Sequence, residues 1–194
     1  MNTYTNKIRR ILAIDACPRG FGFAVVEGSD RLIDWGVKEV HRGKNSKSLA
    51  LIKKLIEYYE PDLVVVEDCT ARGSRRRRRI RNLIQKLLTL CSATRMRTRS
   101  VPRLRVRKIF GASNKDEVAA TIVQNFPELA PCQPRPRKAK HDFTEDSRMS
   151  IFDAVALALT VLPGQVRESQ PEITEAADVQ EPNHDIKFIV GNLP

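Results

Sequence analysis

The order of apolar patterns along this chain predicts an α/β fold: a central mixed sheet that begins with three antiparallel strands and is flanked by helices. Three observations carry the prediction. Short strand-like runs separated by turn residues fill the first forty positions. A helical periodicity then leads into "LVVVED", a continuous apolar run of the kind a buried parallel strand requires. After residue 80 the apolar spacing is mostly helical and ends in "MSIFDAVALALTVL".

Residues 11–14, 21–26 and 32–40 read as strands, joined by "CPRG" and "GSD", whose Gly, Pro and Asp suit the tight turns of a meander. Leu49, Ile52, Leu55, Ile56 and Tyr59 recur at helical spacing, and "EPD" at residues 60–62 stops that helix before the buried strand. Such a crossover is what parallel pairing needs. Ile80, Leu83, Ile84, Leu87, Leu88 and Cys91 mark an amphipathic helix, and the face around Leu83, Leu87 and Leu90 serves either the core or an interface. The basic segment "SVPRLRVRKIF" leans towards β structure, and Val118, Ala119, Ile122, Val123 and Phe126 mark the next helix. A loop rich in Pro, Lys and Arg, "PELAPCQPRPRKAKHDF", leads to the final apolar helix, and the core closes at Leu162. The organisation expected is one domain over residues 8–164, followed by an acidic, solvated tail over residues 165–194 in which "IKFIV" offers a strand or a partner contact.

At 194 residues and 41% hydrophobic, the chain is long enough for one domain with a real core. A net charge of +11 and a pI near 9.9 draw it towards polyanions. Nucleic acid suits better than a membrane, because no run approaches a membrane span and no basic helix carries a strong Trp and Phe face. The start "MNTYTNKIRR" lacks the apolar stretch of a secretory signal, so a cytoplasmic location is expected. Cys17, Cys69, Cys91 and Cys132 are far apart, with no CxxC pair, and read as buried thiols. With 6% aromatics and no RNA-recognition or zinc-finger pattern, recognition by backbone shape is favoured over base reading.

Three acids stand where acids are expensive. Asp15 ends the first strand, Glu67 ends the buried parallel strand, and Asp153 interrupts the last apolar helix. Burying any of them costs several kcal/mol unless a cation neutralises it. Carboxylates from strand ends and a following helix can converge at one sheet edge and hold two divalent cations, Mg2+ or Mn2+, which activate water and stabilise the leaving oxygen of a phosphodiester. Glu67 is preferred to Asp68 because adjacent strand residues face opposite sides.

These residues resemble the RuvC-type Holliday junction resolvases of the ribonuclease H-like superfamily. "AIDACPRGFGFAVVE", "EPDLVVVED", "GASNKDEVAATIV" and "DAVALALT" match that family's motifs in order and spacing, from about residue 11 to 162. The resemblance implies a ribonuclease H-like fold, a metal-dependent endonuclease acting on branched DNA, and a two-fold dimer. It implies Asp15, Glu67 and Asp153 as catalytic metal ligands, Arg19 as support for the first turn, and Lys115 near a backbone phosphate. The chain departs from the pattern at Ala16-Cys17, where the family has Pro-Gly, and at residues 69–71, "CTA", where it has a junction-wedging aromatic. A fourth ligand, an acid or His in the family, falls at Ser150. Asp146 lies seven residues before Asp153, about 10 Å along a helix, and reads more simply as an N-terminal cap. His141 and Asp142 sit in the loop before it.

"ARGSRRRRRIRNL" places Arg75, Arg76, Arg77, Arg78 and Arg79 at a helix entry, where they repel one another and oppose the helix dipole. An anionic partner accounts for them better than a solvated charge run, and phosphate contacts of this kind bind without regard to sequence. Two other classes compete with the nuclease reading: a nucleic-acid-binding domain that has lost part of its site, and a relative of the sugar kinase and actin-like ATPases. The latter is disfavoured by the chain's length and the lack of a second Gly-rich phosphate loop. Structured RNA remains an alternative substrate, since carboxylate-bound metals do not choose the sugar.

Overall fold

The computed structural model describes residues 10–134 and 146–162. In chain order its elements are β1 (Arg10–Cys17), β2 (Gly20–Glu27), β3 (Arg31–Glu39), α1 (Lys44–Tyr59), β4 (Leu63–Glu67), α2 (Arg78–Ala93), β5 (Thr98–Val101), α3 (Arg103–Phe110), α4 (Lys115–Asn125), a 3-10 turn (Pro127–Cys132) and α5 (Met149–Val161). The strands form one sheet in the order β3-β2-β1-β4-β5. Pairing is antiparallel across β1, β2 and β3, and parallel from β1 to β4 and β4 to β5. The three-strand meander followed by a parallel crossover is the α/β architecture expected.

Strand alternation sorts the core into two layers. Leu12, Ile14, Val64 and Val66 pack with α1 and α2, whose Ile52, Ile80, Leu83, Ile84 and Leu87 are buried. Ile11, Ala13, Ala24, Val26, Val65 and Val101 face the other way, onto α5, α4 and Val106 of α3. Leu83 and Leu87 therefore belong to the core, while Leu90 is only half-buried. Helix α5 is the most enclosed of the helices: apart from Asp153 and Val161, all of its residues are buried. Each of its buried Val, Leu, Ile, Phe and Met side chains contributes about 1.5–3 kcal/mol by leaving water.

One close approach fixes that helix. Gly22 of β2 faces the first turn of α5, and a Cβ at Gly22 would lie 2.3 Å from the Ser150 carbonyl oxygen. Only a residue without a side chain lets the helix seat this deeply. Because Gly22 pairs with Asp15 across β1 and β2, the contact seats α5 beside the acid of β1.

The segment expected to lean towards β structure divides differently. Only Thr98–Val101 pairs with β4, and Arg103–Phe110 is helical. Pro102 ends the ladder and supplies the α3 entry, its carbonyl accepting from the Arg105 and Val106 amides at 3.0 and 3.3 Å. Val106, Ile109 and Phe110 recur at helical rather than alternating spacing. His141, Asp142, the basic stretch at 135–140 and the tail at 165–194 lie outside the described residues. Among those described, no helix is long and apolar enough to cross a membrane.

Candidate active site

The parity of the strands decides which acids meet. Asp15 shares the face of Ile11 and Ala13, and Glu67 shares that of Val65, so both project towards α5. Their strands are adjacent and parallel, with Ile14 opposite Val66 immediately before them. Asp68 has the opposite parity, and its carboxylate is taken up locally by the Thr70 hydroxyl at 2.7 Å and the Thr70 and Ala71 amides at 2.8 and 3.1 Å. Asp153 comes from the first half of α5, seated by Gly22. Asp15 and Glu67 are 2% and 4% exposed. The three acids line one cleft of about 830 Å³, bounded also by residues 71–76, the start of α3 and the start of α4.

Among the described residues, three cations enter the cluster. Arg103 touches every acid: its Nε lies 2.9 Å from Glu67 Oε1, its Nη2 3.2 Å from Asp15 Oδ1, and its Nη1 3.3 Å from Asp153 Oδ1. Arg76 donates through Nε to Glu67 Oε2 at 2.6 Å and through Nη2 to Asp15 Oδ1 at 2.5 Å. Lys115 Nζ reaches Asp153 Oδ2 at 2.7 Å. A side-chain cap sets that lysine in place: Asn114 Oδ1 accepts from the Glu117 amide at 3.0 Å, and Glu117 Oε2 accepts from the Ser113 amide at 2.6 Å.

The environment pulls the acids apart in proton affinity. Burial pushes Asp15 up to about 6, an effect that Arg76 and Arg103 only partly offset and that the Asp153 charge reinforces. Burial acts in the same sense on Asp153, but Arg103 and Lys115 outweigh it and hold its carboxyl below the usual range. Arg76, Arg103 and Lys115 are each held more firmly protonated, because the facing carboxylates outweigh their own burial.

The donor chemistry suits a hard divalent cation, since three carboxylates from three elements are all within reach of one guanidinium. Yet among the described residues no group of three or more His, Cys, Asp or Glu side chains is arranged to hold a metal ion as it stands. Guanidinium groups lie between the acids instead. The position of a fourth ligand adds no acid: the Ser150 hydroxyl is buried and donates to the Ser147 carbonyl at 2.5 Å. Asp146 is not the helix cap expected from the sequence. The residue before α5 is Arg148, and Asp146 is exposed, accepts from the Arg148 amide at 2.9 Å and pairs with its guanidinium at 2.6 Å.

The arginine run divides by role. Arg76 turns inward to the acids. Arg79 donates to the Cys17 carbonyl and, at 3.1 Å, to Asn45 Oδ1, tying α2 to the end of β1 and to α1. Arg75, Arg77 and Arg78 are exposed, with Arg75 on the cleft wall. Arg19 is exposed in the β1–β2 turn, 3.9 Å from Glu39, and its carbonyl accepts from the Val40 amide at 2.7 Å. Sequence reasoning missed Arg103, which it had counted only as part of a basic stretch. Its signal was a Pro-Arg pair opening a helical pattern directly after the strand beside the second acid.

No family model matches this chain, and no curated protein matches it. Solved structures do. RuvC of Thermus thermophilus superposes with a TM-score of 0.56 at 17% identity, covering 78% of this chain and 92% of that one. T. thermophilus RuvC in complex with a Holliday junction substrate gives 0.57 at 17%, covering 78% and 91%. The yeast mitochondrial Holliday junction resolvase Ydc2 gives 0.47 at 14%, covering 79% and 78%. The chain thus has the ribonuclease H-like fold of RuvC.

Proposed function

We propose that this chain is a divalent-metal-dependent, structure-selective endodeoxyribonuclease that hydrolyses phosphodiesters in branched DNA, Holliday junctions among them. The observation that carries the reading is the convergence of Asp15, Glu67 and Asp153 on one cleft beside exposed arginines. That a RuvC of the same fold has been solved with a Holliday junction substrate supports branched DNA as the partner.

In this reading Asp15, Glu67 and Asp153 hold two ions, Mg2+ or Mn2+. Such ions, when bound, activate water and neutralise charge on the leaving oxygen. Lys115 and Arg103, at the first turns of α4 and α3, orient the phosphate beside the acids. Arg75, Arg77 and Arg78 hold the DNA backbone next to the cleft, and Arg19 supports the first turn at its edge. Two opposed cuts in a four-way junction call for a two-fold dimer. The exposed arginines set salt-sensitive affinity, and the shape of the branched backbone sets selectivity.

The test is cleavage of four-way junction, flap, duplex and RNA–DNA hybrid substrates side by side with Mg2+. Cutting of branched DNA, lost in Asp15→Asn with binding retained, is expected. Cleavage confined to the hybrid would move the reading to an RNA substrate. A second reading, a branched-DNA-binding protein without hydrolysis, is favoured by one observation: Arg76 and Arg103 already neutralise the acids. Tight junction binding with no cutting in Mg2+ or Mn2+ would establish it instead.

A further inference from the structure

Of the three cations in the acid cluster, one is mounted differently from the others. Arg103 opens α3 and Lys115 opens α4, so helices fix their backbones. Arg76 lies between β4 and α2, in a segment with neither helix nor strand. Within that segment Gly73 takes φ 86°, and a Cβ there would meet nothing within 4 Å. Arg76 is nonetheless turned inward, its side chain 15% exposed, while its neighbours Arg75 and Arg77 are exposed. It links the acids of two strands, Asp15 and Glu67, whereas Asp153 is met by Arg103 and Lys115.

Among the described residues three carboxylates face three cations, so the charges these side chains bring are formally balanced. A divalent cation entering the cluster would add two positive charges to a neutral site, and its ligand oxygens would have to give up their guanidinium partners. Room for the ion is made when a cation of the chain leaves, and Arg76 is the one carried outside helix and strand, on a segment that includes Gly73 at φ 86°.

We propose that Arg76 is a resident counter-ion: it holds Asp15 and Glu67 in the metal-free protein, and it moves out to a backbone phosphate when a divalent cation takes its place. The inference rests on the metal-dependent reading above. It makes metal and DNA mutually supportive, because the released guanidinium finds its phosphate beside Arg75 and Arg77 on the same segment, and coupling of this kind is reciprocal.

The experiment is a calorimetric titration of Mn2+ alone into the metal-free full chain, for the wild type, Arg76→Gln, Arg76→Lys and Arg75→Gln. Arg76→Gln is expected to bind Mn2+ at least about tenfold more tightly than the wild type, because a competing charge has gone. Arg76→Lys and Arg75→Gln should stay within about threefold of it. Repeating the titration with an uncleavable four-way junction present should tighten Mn2+ binding in the wild type more than in Arg76→Gln. Equal or weaker Mn2+ binding by Arg76→Gln, with the wild type binding normally, overturns the inference and leaves the nuclease reading standing. If neither binds Mn2+, both fall. Should Arg76→Gln fail to fold, the Arg76 Nε–H resonance of the wild type carries the same test. It should be protected from solvent exchange without metal and lose that protection on adding Mg2+; protection that survives saturation refutes the counter-ion role.

Discussion

Replacing Gly22 with Ala tests how the site is assembled, because the perturbation is a single methyl group at a known distance. The added Cβ would lie 2.3 Å from the Ser150 carbonyl oxygen, 2.4 Å from its carbon and 2.5 Å from its hydroxyl oxygen. Gly22 is not among the positive-φ glycines, so the cost comes from contact and not from backbone strain. Two of the three clashing atoms are backbone, so no rotamer relieves them. To restore ordinary contact the first turn of α5 must retreat by about 1 Å, and overpacking of this kind costs about 1–3 kcal/mol. The upper end is expected, because α5 is enclosed on nearly every side and has nowhere to slide. Asp153 sits one turn further along and moves with the helix, away from Asp15 and Glu67. A misplacement of about 1 Å at reacting groups lowers rates by about a hundredfold. Urea unfolding should show the stability loss, and junction cleavage the rate loss, with junction affinity unchanged. Gly36→Ala is the milder comparison, since its Cβ would meet only Phe23 ring carbons, at 3.1 and 3.5 Å, and no backbone atom. A Gly22→Ala protein within about 0.5 kcal/mol of the wild type would refute the close seating of α5.

Arg103→Met removes the one cation among the described residues that touches all three acids, so the metal-free protein should lose about 3–5 kcal/mol in urea. Saturating Mn2+ should recover part of that, and a loss under about 1 kcal/mol would show that the cluster is not held as described. Acidification of the metal-free protein should act unusually. Asp15 binds its proton more tightly folded than unfolded, so between pH about 6 and about 4 it adds stability as pH falls, and the gap between 3.8 and about 6 corresponds to about 3 kcal/mol. Asp153, held low, acts in the opposite sense below about pH 4. The difference between the wild-type and Asp15→Asn profiles isolates the first effect, and identical profiles would refute it. Replacing Arg75, Arg77 and Arg78 together with Gln should flatten the salt dependence of junction binding by about 0.9 for each phosphate no longer neutralised, read from log K against log salt. An unchanged slope would take the DNA backbone away from this surface.

The acids were legible in the sequence because each violates its surroundings: Asp15 and Glu67 terminate apolar runs, and Asp153 breaks an apolar helix. Strand parity then selected Glu67 over Asp68, and the structure places Glu67 with Asp15. The meander and crossover were legible for the same reason, since periodicity and turn residues agree along residues 10–67. What could not be read is how the cations are distributed. Five consecutive arginines look alike in a sequence, and only the path of the segment before α2 decides that Arg76 points inward while Arg75 and Arg77 do not. Arg103 is hard to read because β-branched Val101 and Val106 suggest one strand, whereas Pro102 between them ends the strand and opens a helix. The Gly22 approach was equally invisible, because it pairs residues 128 positions apart.

The enclosure of α5 also sets an order of events during synthesis. Even the later of the two strands, the one carrying Glu67, leaves the ribosome about eighty residues before α5, an interval of roughly 4–16 s at ordinary translation rates. Throughout it, the sheet face formed by Ala13, Ala24 and Val65 has no helix α5 to cover it, and the nascent chain is open to sticking to its neighbours. The same delay withholds the third carboxylate, so any scission activity is born only when the last layer of the domain closes.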